Sequence, residues 1–358
     1  SNKIDEWLVY KHTSQYRCKQ YQKMLNKRIT IILILIIGIK LNAQKNINYD
    51  HCDCIEKINY LESDTDVKHG DYELICNGNT VEKGKYINNE KDGNWIVRNK
   101  KGIIVSDINY KNGKLNGSYK LFYFKGKPKL SANFTNNLQV GEWKYFSDKG
   151  KITKEGSFEN GKPVGIWRNF KKKKIDREYD YNKNHFIINK EIKTKNSYLP
   201  QDDETGEYII IYYPERNVET NYKPLEGFKK ANELFIDLIN VPVALMNTYT
   251  KYDYKIHASL SNGIFSVKSI ELEDNISYNS SKPSFPYIAN TNYPKNLKRI
   301  EHTELLHSKM QERVFETLMV LGPWISTDDI DFEIHVPFVL NEIKWIQFAT
   351  PHKINVDF

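Results

Sequence analysis

The sequence contains no hydrophobic run long enough to cross a membrane as a helix. Its longest apolar stretch, Ile29–Ile39, extends over eleven residues, whereas a spanning helix needs about 20. This stretch follows the basic segment Met24–Arg28 and precedes the small residue Ala43. The arrangement is typical of a secretory signal peptide, with a membrane anchor as the alternative. We therefore expect a signal peptide at 24–43 that is cleaved near Ala43, an upstream tail at 1–23, and export to the periplasm or the extracellular space.

The sequence also has little net charge once the expected leader is set aside. Residues 1–43 hold eight of the 53 basic residues and two of the 45 acidic residues, so the remainder is close to neutral. Binding to nucleic acid requires a concentrated basic surface, and no such partner is predicted. The densest basic run, Lys171–Lys174, is interpreted as the solvated edge of a linker, with contact to an anionic surface as the alternative.

Cysteine is scarce, and only Cys52, Cys54 and Cys76 follow the expected leader. A structural zinc site uses C-x₂₋₄-C spacing with a second pair further along, so these cysteines predict no metal site. After export they would lie in an oxidising compartment, where a disulfide to Cys76 is expected. The spacing does not decide the partner. We take Cys54–Cys76 as the candidate disulfide and Cys52–Cys76 as its alternative.

Common catalytic motifs are missing as well. The sequence has no Gly-x-Gly-x-x-Gly, P-loop, Gly-x-Ser-x-Gly or His-Glu-x-x-His pattern. His257 and His335 lie on predicted strands and are interpreted as structural, and Asp328-Asp329 is interpreted as a solvated turn. We predict no catalytic residue, cofactor or metal ligand, and a protein that is not an enzyme. A hydrolase remains the alternative if His257, His335 or the 301–307 cluster meets a carboxylate in a pocket.

The sequence does contain a repeat with a period of 23 or 24 residues. Each unit has a leading glycine, an aromatic residue two positions later, a second glycine, a second aromatic and a closing Asn-Asn or Asn-Gly. Regular periods of 20–50 residues indicate a stacked array. The clearest leading pairs are Gly93 and Trp95, Gly117 and Tyr119, Gly141 and Trp143, and Gly165 and Trp167.

The chemistry of these positions predicts a stack of antiparallel hairpins. Asn-Gly favours a type I′ turn, because both central residues need positive φ, and Asn-Asn is the next best choice. Alternating side chains place the aromatic rings on one face, where cross-strand pairs stabilise neighbouring units. We expect each leading glycine to lie where a Cβ would clash with a neighbouring ring. The rings are interpreted as packing residues, with a ligand-stacking platform as the alternative.

This pattern resembles the bacterial variant of the MORN repeat. The resemblance rests on Gly-x-Trp-x-x-Tyr/Phe, then Gly, then Phe-x-Asn-Gly-Lys-x-x-Gly, and it is clearest over Gly141–Gly165. It implies an elongated antiparallel sheet that serves as an interaction or structural module. Some members of the family carry an antitoxin label, which implies a cytoplasmic protein.

The second half of the chain has a different pattern. A linker is expected at 171–207, followed by an α+β domain at 208–358. Apolar spacing and turn signals predict its elements: a strand at 208–213, a helix at 228–238, a hairpin of 254–260 with 264–272, a long loop at 273–300, a helix at 303–321 and a strand at 331–340.

This half resembles the C-terminal domain of TonB-type proteins. The matching residues are Asn262-Gly263 in a hairpin turn, Leu321–Trp324 after a helix, and Val336–Phe338 in the last strand. The resemblance implies docking on an outer-membrane partner by strand addition, with an exposed edge near the last strand. An energy transducer also needs a retained membrane anchor, which a cleaved leader does not provide.

Together these features predict an all-β repeat array, an antiparallel hairpin stack at 70–170, followed by the α+β domain. A segment at 44–69 precedes the array. The predicted function is that of an exported, non-enzymatic protein-interaction or structural protein with a protein partner. The alternatives are a periplasmic TonB-like domain that docks an outer-membrane partner by strand addition, and an antitoxin-type binding protein.

Overall fold

The computed structural model describes most of the predicted array and parts of the C-terminal half. The described residues are 43–49, 53–190, 222–242, 248–249, 251–272, 298–299, 304–326, 328–339, 342–343 and 347–349. The predicted strand at 208–213 and nearly all of the predicted loop at 273–300 lie outside them, as does the leader up to residue 42.

The first half forms one 13-stranded antiparallel sheet in which every strand pairs with its neighbours in sequence. The predicted hairpin stack is therefore confirmed. Its strands are β1 (Ala43–Tyr49), β2 (Cys54–Leu61), β3 (Asp64–Cys76), β4 (Asn79–Ile87), β5 (Glu90–Arg98), β6 (Ile104–Lys111), β7 (Lys114–Phe122), β8 (Pro128–Thr135), β9 (Leu138–Phe146), β10 (Ile152–Glu159), β11 (Lys162–Lys171), β12 (Lys174–Asp180) and β13 (His185–Asn189).

The sheet is longer than the array predicted at 70–170. The N-terminal segment, 44–69, forms most of β1, all of β2 and the start of β3, and β12 and β13 lie within the predicted linker, 171–207. β1, β2, β12 and β13 contain no glycine, but period-two alternation suffices for a strand. In β2, buried residues alternate with more exposed ones. Cys54 on β2 lies directly opposite Cys76 on β3, and the two form a disulfide.

The predicted type I′ turns are present between the units. Both residues have positive φ in each turn: 50° and 70° at Asn88-Asn89, 49° and 69° at Asn112-Gly113, 50° and 67° at Asn136-Asn137, and 49° and 85° at Asn160-Gly161. Lys172 and Lys173 adopt the same conformation, with φ of 49° and 68°. The basic run Lys171–Lys174 therefore forms a hairpin turn between β11 and β12, which corrects its interpretation as a linker edge.

The leading glycines do not have the role expected of them. A Cβ added to Gly93 or Gly165 would meet no atom within 4 Å, and these residues have φ of +70° and +62°. Each begins a bulge in which three residues face one on the preceding strand. The left-handed backbone of the bulge is what requires glycine there, so our expectation of a clash with a neighbouring ring was wrong for these positions.

The second half forms a smaller α+β region, as predicted. Its elements are β14 (Tyr222–Pro224), α1 (Phe228–Leu238), β15 (Thr248–Tyr249), β16 (Lys251–Ser261), β17 (Ile264–Leu272), β18 (Lys298–Arg299), α2 (Glu304–Met319), β19 (Trp324–Ser326), β20 (Ile330–Val339), β21 (Glu342–Ile343) and β22 (Gln347–Ala349). The largest sheet here has the order β17-β16-β20-β21, with β22 also paired to β20. The predicted helix at 228–238 and the hairpin closed by Asn262-Gly263, with φ of 52° and 75°, are confirmed.

Candidate functional site

The aromatic residues of the repeat share one buried face of the array. Trp95, Tyr119, Trp143 and Trp167 are all buried. The second aromatic of one unit connects the leading rings of two units, because Phe158 has its ring centroid 4.9 Å from those of Trp143 and Trp167. The rings therefore form a packed ladder. We refer to this side of the sheet as the ring face.

The C-terminal region covers the ring face. The Tyr145 hydroxyl donates to the carbonyl oxygens of Val320 and Gly322 at 2.8 and 3.1 Å, just after α2. The Gln139 side-chain amide donates to the Met319 carbonyl at 3.1 Å. On its other side, α2 contacts β17, where the Gln311 amide donates to a backbone carbonyl at 2.7 Å. The helix thus lies between the array and the smaller sheet.

Charged residues form a buried network between α2 and the array. Arg313 Nη2 is 2.6 Å from Glu82 Oε1 on β4, and its Nη1 is 3.0 Å from Glu316 Oε2 on the helix. Lys91 Nζ on β5 is 2.7 Å from Glu312 Oε1. All of these residues except Glu312 are buried. Buried charges are tolerated when they are paired, and here the pairing joins two parts of the chain that are distant in sequence.

The network continues toward both ends of α2. Lys309 forms an ion pair with the buried Glu56 on β2 and donates to the Tyr72 hydroxyl at 3.1 Å. The Tyr110 hydroxyl donates to the Glu316 carboxylate. Because Lys309, Arg313 and Glu316 are spaced by four and three positions, they lie on one face of the helix. The face of α2 toward the array is therefore a charged stripe.

The network shifts the acidity of its members. Burial alone would raise the pKa of Glu82, but the charges of Arg313 and Lys91 outweigh burial and lower it. Burial opposes the charge of Arg313, yet its acidic partners, chiefly Glu316 and Glu82, raise the pKa of the guanidinium. Burial also raises the pKa of Tyr110, with Glu316 adding to the effect. Glu82 and Arg313 therefore remain ionised and paired at neutral pH, while Tyr110 remains a hydrogen-bond donor.

The sequence did not single out these charged residues. The signal that could have identified them is the presence of Glu56, Glu82 and Lys91 at strand positions whose side chains share a face with the rings. A charged side chain on the apolar face of a strand needs a partner when the face is covered. The sequence did not indicate that the charged stripe on α2 is buried, because charged residues on a helix ordinarily lie on a solvated surface.

Of the histidines and acidic residues considered from the sequence, His257 and His335 lie in the smaller sheet and Asp328-Asp329 precede β20, whereas residues 304–307 of the 301–307 cluster begin α2 and 301–303 lie outside the described residues. His257 Nδ1 is 3.5 Å from Glu333 Oε1 and its Nε2 is 3.7 Å from Glu271 Oε1, at a partly exposed position. His335 is aligned with Lys255 on the neighbouring strand. Asp329 accepts hydrogen bonds from the Asn262 amide at 2.7 Å and from Ser261 Oγ at 2.9 Å. The hydrogen bond from the Asn262 backbone amide is the main cause of the lowered pKa of Asp329. Through its two hydrogen bonds, Asp329 holds the hairpin turn at Ser261-Asn262 in place.

A cleft of about 360 Å³ lies where α1 meets β10 and β11. Lys154 on β10 forms an ion pair with Glu226, just before α1, at 2.9 Å, and donates to the Gly322 carbonyl at 2.8 Å. Asn169 on β11 is directly opposite Lys154. Burial lowers the pKa of Lys154, while Glu226 acts in the opposite direction. The cleft therefore has a buried polar floor.

Neither protein-family models nor curated proteins identify a relative of this chain. No family model matches the chain, and no curated protein matches it either. The resemblance to MORN-variant repeats and to TonB-type domains thus rests on the residues quoted above. In the part of the chain that the structure describes, no helix has the length and apolar composition needed to cross a membrane. Within the same ranges, no group of three His, Cys, Asp or Glu residues is arranged to hold a metal ion.

Proposed function

We propose that this chain is an exported, non-enzymatic protein-interaction protein in which MORN-variant repeats form a rigid scaffold. The observation that carries the proposal is the covered ring face: α2 occupies it through the buried network of Arg313, Glu82 and Glu316. The array therefore uses its aromatic face to hold its own C-terminal region. A partner protein would therefore bind to another surface of the molecule. A terminal strand of the sheet is one such surface, because its backbone N–H and C=O groups can pair with a strand of the partner.

The terminal strand β13 has the properties of a strand-addition edge. Among the described residues it pairs only with β12, so within those ranges one side of its backbone has no strand beside it. Ile187 at its centre is 47% exposed, although it is a large apolar residue. Unprotected apolar edges favour pairing with another chain. The opposite terminal strand, β1, is more polar, and its Lys45 lies 3.8 Å from Asp66, which is the kind of charge that protects an edge.

The TonB-like alternative requires an exposed edge near the last strand. One side of β20 pairs with β16 along its whole length. Its other side pairs with β22 at Glu333–His335 and with β21 at Phe338-Val339. The described part of the smaller sheet therefore gives no support to strand addition directly beside β20.

A matched pair of variants tests strand addition at β13. Ile187→Lys places a charge on the terminal strand, whereas Ile55→Lys makes the same change at an isoleucine that is 41% exposed on β2, an inner strand. Partners of the full chain are identified by crosslinking in periplasmic extract. We expect wild type and Ile55→Lys to capture the same protein and Ile187→Lys to lose it. Equal capture by all three proteins would contradict the proposed edge.

Export is tested independently by fractionation and N-terminal sequencing. We expect the mature chain to begin at Gln44 and to lie outside the cytoplasm, because the basic start and short apolar core direct secretion. Full-length protein in the cytoplasm would contradict export and favour the antitoxin alternative.

A further inference from the structure

Two buried hydrogen-bond acceptors in the cleft beside α1 have no protein partner. Asn169 and Glu226 are 6% and 5% exposed, and Asn169 Oδ1 and Glu226 Oε2 receive no hydrogen bond from the protein. Both residues line the cleft. A buried acceptor without a partner destabilises the folded state, because it has lost its hydrogen bonds to water. The floor of the cleft is therefore arranged to receive hydrogen-bond donors from a bound molecule.

Most of the surface that the cleft exposes is apolar. Tyr123, Phe146 and Phe170 line it from successive hairpins of the array, and Leu234 and Leu238 line it from α1. Small-molecule sites commonly enclose about 300–1,000 Å³ and combine apolar walls with a few fixed polar groups. The volume and lining of this cleft agree with that description.

The charges around the cleft do not favour an ionic ligand. Four lysines line it, and three of them already have an acidic partner: Lys154 with Glu226 at 2.9 Å, Lys129 with Asp237 at 3.4 Å and Lys230 with Asp176 at 2.6 Å. The fourth, Lys171, is exposed to solvent. An anion would have to compete with these carboxylates at three of the four lysines and would also approach two unpartnered acceptors. A cation would approach four ammonium groups. A neutral ligand that is rich in donors avoids both costs.

We infer that this cleft binds a neutral saccharide. Its hydroxyl groups donate to Asn169 Oδ1 and Glu226 Oε2, and the carbon-bound hydrogens of its ring pack against the aromatic walls, whose faces carry partial negative charge. The Lys154 ammonium stays paired with Glu226 Oε1 and keeps that carboxylate in place. This site is independent of the proposed partner edge at β13.

A glycan array tests the inference with the full-length mature chain. The array carries neutral oligosaccharides together with sialylated and uronic-acid glycans. We expect wild type to bind at least one neutral glycan, and Asn169→Leu, which removes the acceptor with little change in size, to weaken that binding by about tenfold or more. The control Asn133→Leu makes the same change at an exposed asparagine on β8 and should bind as wild type does.

Three results would overturn the inference: no neutral glycan bound by wild type, binding confined to acidic glycans, or equal binding by wild type and Asn169→Leu. Thermal unfolding of each variant checks that it is folded. If Asn169→Leu is unfolded, Phe170→Leu takes its place. This variant removes an aromatic ring from the cleft wall but keeps an apolar side chain there, and we expect the same loss of glycan binding.

Discussion

At the residue scale, the packing of the array depends on the residue that lies beneath each large ring. A Cβ on Gly84 would be 2.2 Å from the Trp95 ring, and one on Gly156 would be 2.1 Å from the Trp167 ring. Real Cβ atoms do not approach another atom so closely. The sequence predicted that glycines and rings meet, but it assigned the contact to the leading glycines. The ring-facing glycines occur in only two units, because Ile108 and Ala132 hold the equivalent positions in the units between them, and the repeat alone does not show which strand crosses beneath a ring.

The first prediction concerns Gly156. We expect Gly156→Ala to lower the free energy of unfolding by about 1–3 kcal/mol, because the added methyl group must displace the Trp167 ring from a packed core. Denaturant unfolding of the full chain measures this loss. In a Trp167→Leu background the same substitution should cost much less, since the ring is gone. An equal loss in both backgrounds would contradict the contact.

At the scale of the element, the turns show which hairpins the sequence pattern predicts and which it misses. Asn-Gly and Asn-Asn predicted the positions of four type I′ turns, because these residues tolerate positive φ. Lys172-Lys173 forms a further turn of this kind without that signal. The neighbouring strands hold the backbone in a conformation that lysine does not favour. Because this turn joins β11 to β12, the sheet continues beyond residue 170, where the sequence predicted the array to end.

The second prediction concerns this turn. We expect the double substitution Lys172→Asn, Lys173→Gly to stabilise the protein by about 1–2 kcal/mol, because a left-handed residue with a Cβ costs roughly that amount. Thermal unfolding measures the gain. The reverse change at Asn112-Gly113, to Lys-Lys, should destabilise by a similar amount. No change in either variant would mean that these turns do not limit stability.

The helix α2 marks the limit of what the sequence predicts about the site. Apolar spacing predicted a helix at 303–321, and the structure has one at Glu304–Met319. Its charged stripe gave no indication of a buried surface, because Lys309, Arg313 and Glu316 are ordinary residues for a solvated helix face. Their role depends on Glu56 and Glu82, which are more than 200 positions away in sequence. Only the folded chain shows that these charges are complementary.

At the scale of the whole molecule, the array and the C-terminal region contribute to one buried core. Tyrosines are prominent in it, and burial raises the pKa of several of them well above the ordinary value of about 10. These are Tyr72, Tyr86, Tyr110, Tyr119, Tyr145 and Tyr181. Both halves of the molecule should therefore respond together to high pH.

The third prediction is alkaline unfolding of the whole molecule. The unfolded chain releases tyrosine protons near pH 10, whereas the folded chain retains them, so the free energy of unfolding falls as pH rises above about 10. Each such tyrosine contributes a slope of about 1.4 kcal/mol per pH unit. Tyrosinate absorbance should rise in two phases, the second coinciding with the loss of folded structure. A single phase near the ordinary pKa, with the fold intact, would contradict the burial of these residues.

The central claim is that α2 covers the ring face of the array through buried, paired charges, and a double-mutant cycle between Glu82 and Arg313 tests it most directly. Unfolding free energies are measured for wild type, Glu82→Leu, Arg313→Met and the double variant. Removing Arg313 alone should cost about 3–5 kcal/mol, because it leaves buried carboxylates unpaired. The double variant should recover a large part of that loss, with a coupling energy above about 1.5 kcal/mol.

A control cycle uses Lys268 and Asp331, an exposed pair at the same distance of 2.6 Å, for which the coupling should be at most about 1 kcal/mol. Strong coupling for the buried pair and weak coupling for the exposed pair is the result that the account predicts. If the effects at Glu82 and Arg313 add to within about 0.5 kcal/mol, the helix does not meet the array as described.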